Sequence, residues 1–128
     1  MDRLHMTKPT LSLMIIEDDK SALMMYKDML QESGYNVLAC ESGVMAMSLL
    51  DKENISLILT DIKMPDVDMT HLLGYLSLHF PKIPIVVATA YPEFDYLLKK
   101  RGSTVKAFFL KPLDIEKLKE TILKLTSR

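Results

Sequence analysis

The stretch Ser56–Asp66, SLILTDIKMPD, decides the fold. Leu57, Ile58 and Leu59 form an apolar run without polar alternation, Thr60 is small, and a carboxylate follows at Asp61. Met64 and Pro65 come soon after, and proline cannot carry a central strand onward. A short apolar run bounded in this way reads as a strand buried on both faces. Such strands belong to parallel sheets covered by helices, where ligands bind beyond the carboxyl ends of the strands. The remaining strand ends decide whether Asp61 is a turn residue or a reactive group.

The pattern recurs along the chain. LSLMII (11–16) stops at Glu17-Asp18-Asp19, and a helical stripe through Leu23, Tyr26 and Leu30 follows until Gly34. YNVLAC is a short strand, and Ser42 is a suitable N-cap for a helix through GVMAMSLLDK. After ISLILT, a helix is expected over THLLGYLSLHF, with Pro81 just beyond it. IPIVVATA is a buried strand with Pro84 at its start. PEFDYLLKKR reads as a helix with Pro92 at its first position and Phe94, Leu97 and Leu98 on one face. VKAFFL is the last strand, and Asp114 caps a helix in which Leu118, Ile122 and Leu125 share a side. Strand then helix, five times over, specifies an α/β chain: a single doubly wound (βα)5 domain, a parallel sheet with helices on both faces. Residues 1–9 are expected to be a flexible tail and residues 10–128 the domain.

Composition agrees with one globular unit. The 128 residues are 48% hydrophobic and 26% charged, enough for one core. Sixteen basic and seventeen acidic side chains leave a net charge of −1, which points to neither nucleic acid nor anionic lipid. The single cysteine, Cys40, forbids an internal disulfide and fits a reducing compartment, so a cytoplasmic location is expected. No apolar run reaches the roughly 20 residues that span a bilayer, and the N-terminus has no secretory core. The ten methionines, scattered through apolar segments, are expected to fill the core. His5, His71 and His79 are expected at the surface.

The strand ends collect a chemical set. The first strand delivers Glu17, Asp18 and Asp19, the third Asp61, the fourth Thr89, and the fifth Lys111 followed by Pro112. Packed carboxylates raise each other's pKa unless a cation joins them, and oxygen-only ligands suit Mg²⁺. Lys111 is a point charge for an anion or a carboxylate. A metal, a hydroxyl, a lysine and a carboxylate nucleophile are the parts for moving a phosphoryl group onto Asp61. Each element has a plain structural alternative, since EDD before a helix is also a capping signal and DIKMPD is also a turn. Their convergence on one sheet edge favours the reactive reading of Asp61.

At this point the chain resembles the receiver domain of response regulators, the phospho-accepting module of two-component signalling. The resemblance rests on MIIEDD, LILTDIKMPD, VVATA and FFLKPL and runs from about residue 10 to 126. It implies a five-stranded parallel sheet of order 2-1-3-4-5. It implies Asp61 as phospho-acceptor, with Asp18 ligating Mg²⁺ directly, Glu17 reaching it through water, and Lys63 offering its backbone carbonyl. Asp19 would then be a helix-start residue. Thr89 and Lys111 match the switch hydroxyl and the phosphate-binding lysine, Phe108 matches the aromatic that changes rotamer, and the Lys111–Pro112 bond is expected to be cis. Lys63 and Tyr91 occupy the positions that tune the lifetime of the acyl phosphate. Two departures stand out: Met69 where the family usually has glycine, and Gly102 in place of a Gly-Ala just before the last strand.

The function so implied is phosphoryl acceptance from a sensor histidine kinase or a histidine phosphotransfer protein. A downstream protein would then dock on the Phe94–Leu125 region, with no nucleic acid or membrane bound by this domain. The domain would catalyse only its own phosphorylation and dephosphorylation. Two other classes compete. A receiver-like binding module that acts without phosphorylation would retain no Mg²⁺-dependent labelling. A Mg²⁺-dependent phosphohydrolase of the haloacid dehalogenase type needs a second acid two residues after the nucleophile, where this chain has Lys63. The four glycines form no phosphate loop. Output is expected either by docking or from a domain beyond Arg128.

Overall fold

The computed structural model describes residues 10–61, 69–92 and 104–127. Its strands are β1 (Ser12–Ile16), β2 (Asn36–Cys40), β3 (Leu57–Thr60), β4 (Ile85–Thr89) and β5 (Val105–Leu110). They form one parallel sheet in the order β2-β1-β3-β4-β5, as expected. The described helices are α1 (Lys20–Glu32), α2 (Gly43–Leu50), α3 (Met69–His79) and α4 (Ile115–Thr126). Residues 93–101 of the helix expected over 92–101, the tail over 1–9, Lys63 and Gly102 lie outside the described residues.

The central strands alternate sides without becoming polar on either. Met14, Ile16 and Ile58 pack with Ala46 and Leu50 of α2 and with Leu72, Leu73 and Leu76 of α3. Leu13, Ile15, Leu57 and Leu59 face the other way, against Leu23, Tyr26 and Leu30 of α1 and Leu118 and Ile122 of α4. The four residues Leu13–Ile16 have no exposed surface. Each large aliphatic side chain so buried contributes about 1.5–3 kcal/mol. This double burial erases polar alternation from the sequence.

The local signals act as expected. Asp19, Ser42 and Asp114 are the N-caps of α1, α2 and α4, each accepting backbone N–H bonds from its helix. Gly34, at φ 97°, takes the left-handed conformation that ends α1 and that a Cβ would disfavour. Met69 opens α3 with helical backbone, and no non-glycine residue among those described has positive φ. Its departure from the family's glycine therefore carries no strain.

Two features depart from the expectations. The methionines are not uniformly core filler. Met14 and Met29 are buried, but Met24, Met25 and Met45 are roughly half exposed, because they lie on the outward sides of α1 and α2. The strand β5 is also irregular. Ile85 pairs with Val105 but Val86 pairs with Ala107, so Lys106 is an extra residue without a partner. This bulge leaves Lys106 exposed and lets Val105 and Phe108 share one face of the sheet while Ala107 and Phe109 take the other.

Candidate functional site

Three site residues are held one step beyond their strands by continuations of the backbone ladder. The Glu17 N–H donates to the Cys40 carbonyl at 3.0 Å, the Asp61 N–H to the Ile16 carbonyl at 3.0 Å, and the Lys111 N–H to the Thr89 carbonyl at 2.8 Å. The sheet itself therefore sets their spacing. The Lys111 Nζ donates to Glu17 Oε1 at 2.8 Å and to Asp61 Oδ2 at 2.9 Å. One ammonium thus bridges residues from β1 and β3 across the edge of the sheet. The Lys111–Pro112 peptide bond is cis, as expected.

The acidic side chains divide by role. Oxygens of Glu17, Asp18 and Asp61 lie within 4.8 Å of one another. Glu17 is buried, Asp61 partly so, and Asp18 exposed. Asp19 is turned away from this group, because its carboxylate accepts from the Ser21 and Ala22 N–H groups at 2.9 and 3.3 Å. The donor set is all oxygen and includes a solvent-facing carboxylate, which fits a hard divalent cation that keeps several waters.

Burial pushes the Glu17 carboxyl above its ordinary pKa, and its bonds to Lys111 and to the Asp19 N–H oppose that rise. Burial pulls Lys111 down, but its two carboxylate partners more than reverse the effect and hold it above the ordinary lysine range. Lys111 is therefore a permanent cation at neutral pH. The Cys40 thiol, with no exposed surface, is pushed up to about 11 by burial and is no nucleophile at neutral pH.

The switch candidates lie on β4 and β5. Thr89 is fully buried at the end of β4, and its hydroxyl oxygen accepts from the Tyr91 N–H at 3.2 Å. Phe108, on β5, packs partly buried on the α3 side of the sheet. Tyr91, two residues after Thr89, is 39% exposed, so its side chain is at the surface.

Sequence reasoning missed two groups. The Thr60 hydroxyl donates to the Asp61 carbonyl at 2.7 Å and pins the peptide beside the candidate acceptor. Its signal was a lone hydroxyl ending an otherwise apolar strand. Tyr26 was read only as part of a helical stripe. Its buried phenol has a raised pKa, chiefly through burial, and also feels the charges of Lys111, Glu17, Asp61 and Asp19. No local pattern marks a core tyrosine that feels the charges of a site formed by other elements.

A family model described as the response regulator receiver domain matches residues 13–123. The chain belongs to that family. Receiver domains of two-component systems are signalling modules that interact with histidine kinases or phosphotransfer proteins. The sporulation initiation phosphotransferase F of Bacillus subtilis is 24% identical over 112 residues, covering 88% of this chain and 90% of that protein. The transcriptional regulatory protein ZraR of Klebsiella oxytoca is 27% identical over 117 residues, covering 91% of this chain. The match spans only 26% of ZraR's own length. Among solved structures, a CheY-like receiver domain protein from Methanospirillum hungatei superposes with a TM-score of 0.83 at 26% identity, covering 91% of this chain and 94% of that one. The response regulator TrrA of Thermotoga maritima, in complex with Mg²⁺-BeF, has a TM-score of 0.82 at 24% identity, covering 91% of this chain and 99% of that one. In this receiver domain no helix among the described residues is long and apolar enough to cross a membrane.

Proposed function

We propose that this receiver domain accepts a phosphoryl group on Asp61 from the phosphohistidine of a kinase or phosphotransfer partner, with Mg²⁺ as cofactor. The observation that carries the reading is the Lys111 ammonium 2.9 Å from Asp61 Oδ2, beside three carboxylates whose oxygens suit a cation. Asp18 and Asp61 would hold the metal, which when bound neutralises charge on the phosphoryl oxygens. That TrrA, which shares this fold, is described in complex with Mg²⁺-BeF supports the choice of ion.

An Asp61 carboxylate oxygen attacks phosphorus in line. A phosphorus–oxygen bond forms as the phosphorus–nitrogen bond to the partner's imidazole breaks, and the imidazole leaves with the bonding pair. Lys111, protonated throughout, stabilises the charge gathering on the equatorial oxygens. The buried Thr89 hydroxyl can donate to an oxygen of the acyl phosphate. Its oxygen can go on accepting from the Tyr91 N–H while its hydrogen turns to the phosphate, so a shift of the hydroxyl draws on the backbone after β4. The space that Thr89 vacates would then let Phe108, which packs partly buried on β5, turn inward. A two-state equilibrium is biased, and the Phe94–Leu125 region presents a changed surface to a downstream protein.

The test is labelling with acetyl phosphate and Mg²⁺. One base-labile phosphoryl group per chain is expected, lost on chelation of Mg²⁺ and in Asp61→Asn. Full labelling of Asp61→Asn, or labelling indifferent to chelation, would refute the proposal and favour a binding module that works unphosphorylated.

A further inference from the structure

We propose that this chain pairs with a second copy of itself along the outer edge of β2, joining two five-stranded sheets across a two-fold axis at Leu38. Sheet order leaves two edges, β2 and β5. The edge at β5 is blunted, because the bulge breaks its ladder and the exposed Lys106 adds a charge. The edge at β2 has neither device. Asn36–Cys40 holds an unbroken register with β1 and carries no charged residue or proline. Val37, Leu38 and Ala39 are partly exposed.

Backbone parity fixes the register. The Asn36 N–H donates to the Leu11 carbonyl at 2.9 Å, and the Cys40 carbonyl accepts from the Glu17 N–H at 3.0 Å. Asn36, Leu38 and Cys40 therefore turn their backbone groups toward β1. Those of Val37 and Ala39 turn outward and meet no partner among the described residues. In an antiparallel pair centred on Leu38, Val37 of each copy lies opposite Ala39 of the other. Each such pair exchanges both of its hydrogen bonds, so every outward group of the two residues is satisfied. An axis at Val37 would instead set Ala39 against Tyr35, whose N–H is already given to the Leu30 carbonyl at 3.1 Å.

The same register is self-complementary in its side chains, as a two-fold contact requires. Asn36 lies opposite Cys40 and Glu41 opposite Tyr35, so no like charges meet. Leu38 meets Leu38 on the α2 side of the sheet, and Val37 meets Ala39 on the α1 side. Exposed apolar surface is also concentrated on this flank. Met24, Met25, Val44 and Met45 belong to α1 and α2, the helices before and after β2, and they are four of the eight exposed large hydrophobic residues among those described. Antiparallel pairing points the carboxyl ends of the two sheets in opposite directions. Both Asp61 sites and both β5 flanks therefore stay uncovered, and the pair forms without phosphorylation.

The experiment uses the full, unphosphorylated chain. Sedimentation equilibrium in reducing buffer should show a reversible monomer–dimer exchange. A single monomer mass up to about 1 mM overturns the inference and assigns the β2 edge to an extended segment of a different protein. A disulfide trap reads the register in a Cys40→Ala background, where the introduced thiol is the sole cysteine. The two Leu38 positions form a non-hydrogen-bonded pair with Cα atoms about 4.5 Å apart, within disulfide range, whereas the two Val37 positions are diagonal at about 7–8 Å. With oxidised glutathione, Leu38→Cys should link into a covalent dimer at least about tenfold faster than Val37→Cys. Equal rates, or a faster Val37→Cys, overturn the inference. Amide dispersion confirms that each variant folds. If Leu38→Cys does not, Asn36→Cys with Cys40 retained takes its place, since Asn36 is exposed and lies opposite Cys40 of the second copy.

Discussion

Replacing Lys111 by methionine keeps a stem of similar length and removes the ammonium that joins Glu17 to Asp61. The wild-type bridge is largely enclosed, with side-chain exposures of 23% for Lys111, 3% for Glu17 and 12% for Asp61. Removing one partner of a fully buried ion pair costs about 3–5 kcal/mol, because the other charge is left uncompensated. Partial exposure of the lysine lowers this to about 2–4 kcal/mol without metal. For a chain of this size that is a fall in Tm of roughly 8–16 °C. The pH dependence has a definite sign. Without Lys111, burial dominates Glu17, whose carboxyl then rises further above its ordinary value. A carboxyl raised in the folded state opposes folding once ionised and ceases to do so when protonated. The deficit should therefore be greatest near pH 7 and shrink as the pH falls toward about 4. Urea unfolding of wild type and Lys111→Met in chelator, at pH 7 and pH 4, measures both. A deficit under 1 kcal/mol at pH 7, or one equally large at pH 4, would show that the bridge does not hold the site together.

Other outcomes follow from the same geometry. Asp19→Ala should cost about 1 kcal/mol of stability through the lost cap of α1 and leave Mg²⁺ affinity nearly unchanged, while Asp18→Ala should do the reverse. Calorimetry with thermal melts separates them, and equal effects on Mg²⁺ binding would shift the metal register by one residue. Cys40 ionises near 11 in the folded chain against 9.0 for an ordinary thiol, so folding favours its protonated form. The stability of wild type relative to Cys40→Ala should hold steady below pH 9 and then fall by about 1.4 kcal/mol per pH unit up to 11. A difference that stays constant in urea unfolding across that range contradicts the burial argument. Slow loss of label is expected from phosphorylated wild type, and Tyr91→Ala should accelerate it, a tenfold change corresponding to about 1.4 kcal/mol of barrier. Unchanged first-order decay would place Tyr91 in a partner interface instead.

Much of this was legible because double burial leaves a coarse mark. Runs such as LMII and IVVA hold no polar residue on either side, and a charged or hydroxyl residue at the end of such a run is already placed at the sheet's edge. Caps at Asp19, Ser42 and Asp114 were legible for a similar reason, since they depend on neighbours in sequence. The pairing of Lys111 with Glu17 was not, because the two residues are 94 positions apart and meet only through sheet order. The Thr60 clamp depends on a rotamer, and the approach of Tyr26 on where α1 lies over the sheet. The exposure of Met24 and Met25 shows the limit of composition, since hydrophobicity alone does not say which side of a helix a residue takes.

The bulge at Lys106 bears on how such a domain tolerates change in chain length. Because the surplus residue is taken up before Val86 pairs with Ala107, everything downstream keeps its alignment with β4. Forced into a regular ladder, Lys106 would turn into the apolar layer against α1 and α4, and Phe108 would change sides. Deleting Lys106 would instead leave Phe108 opposite Val87 and Lys111 anchored on Thr89, as they are now. A residue lost at this bulge thus leaves Lys111 beside Glu17 and Asp61. The bulge therefore works as a spacer, taking up one residue of slack before the part of β5 that sets the position of Lys111.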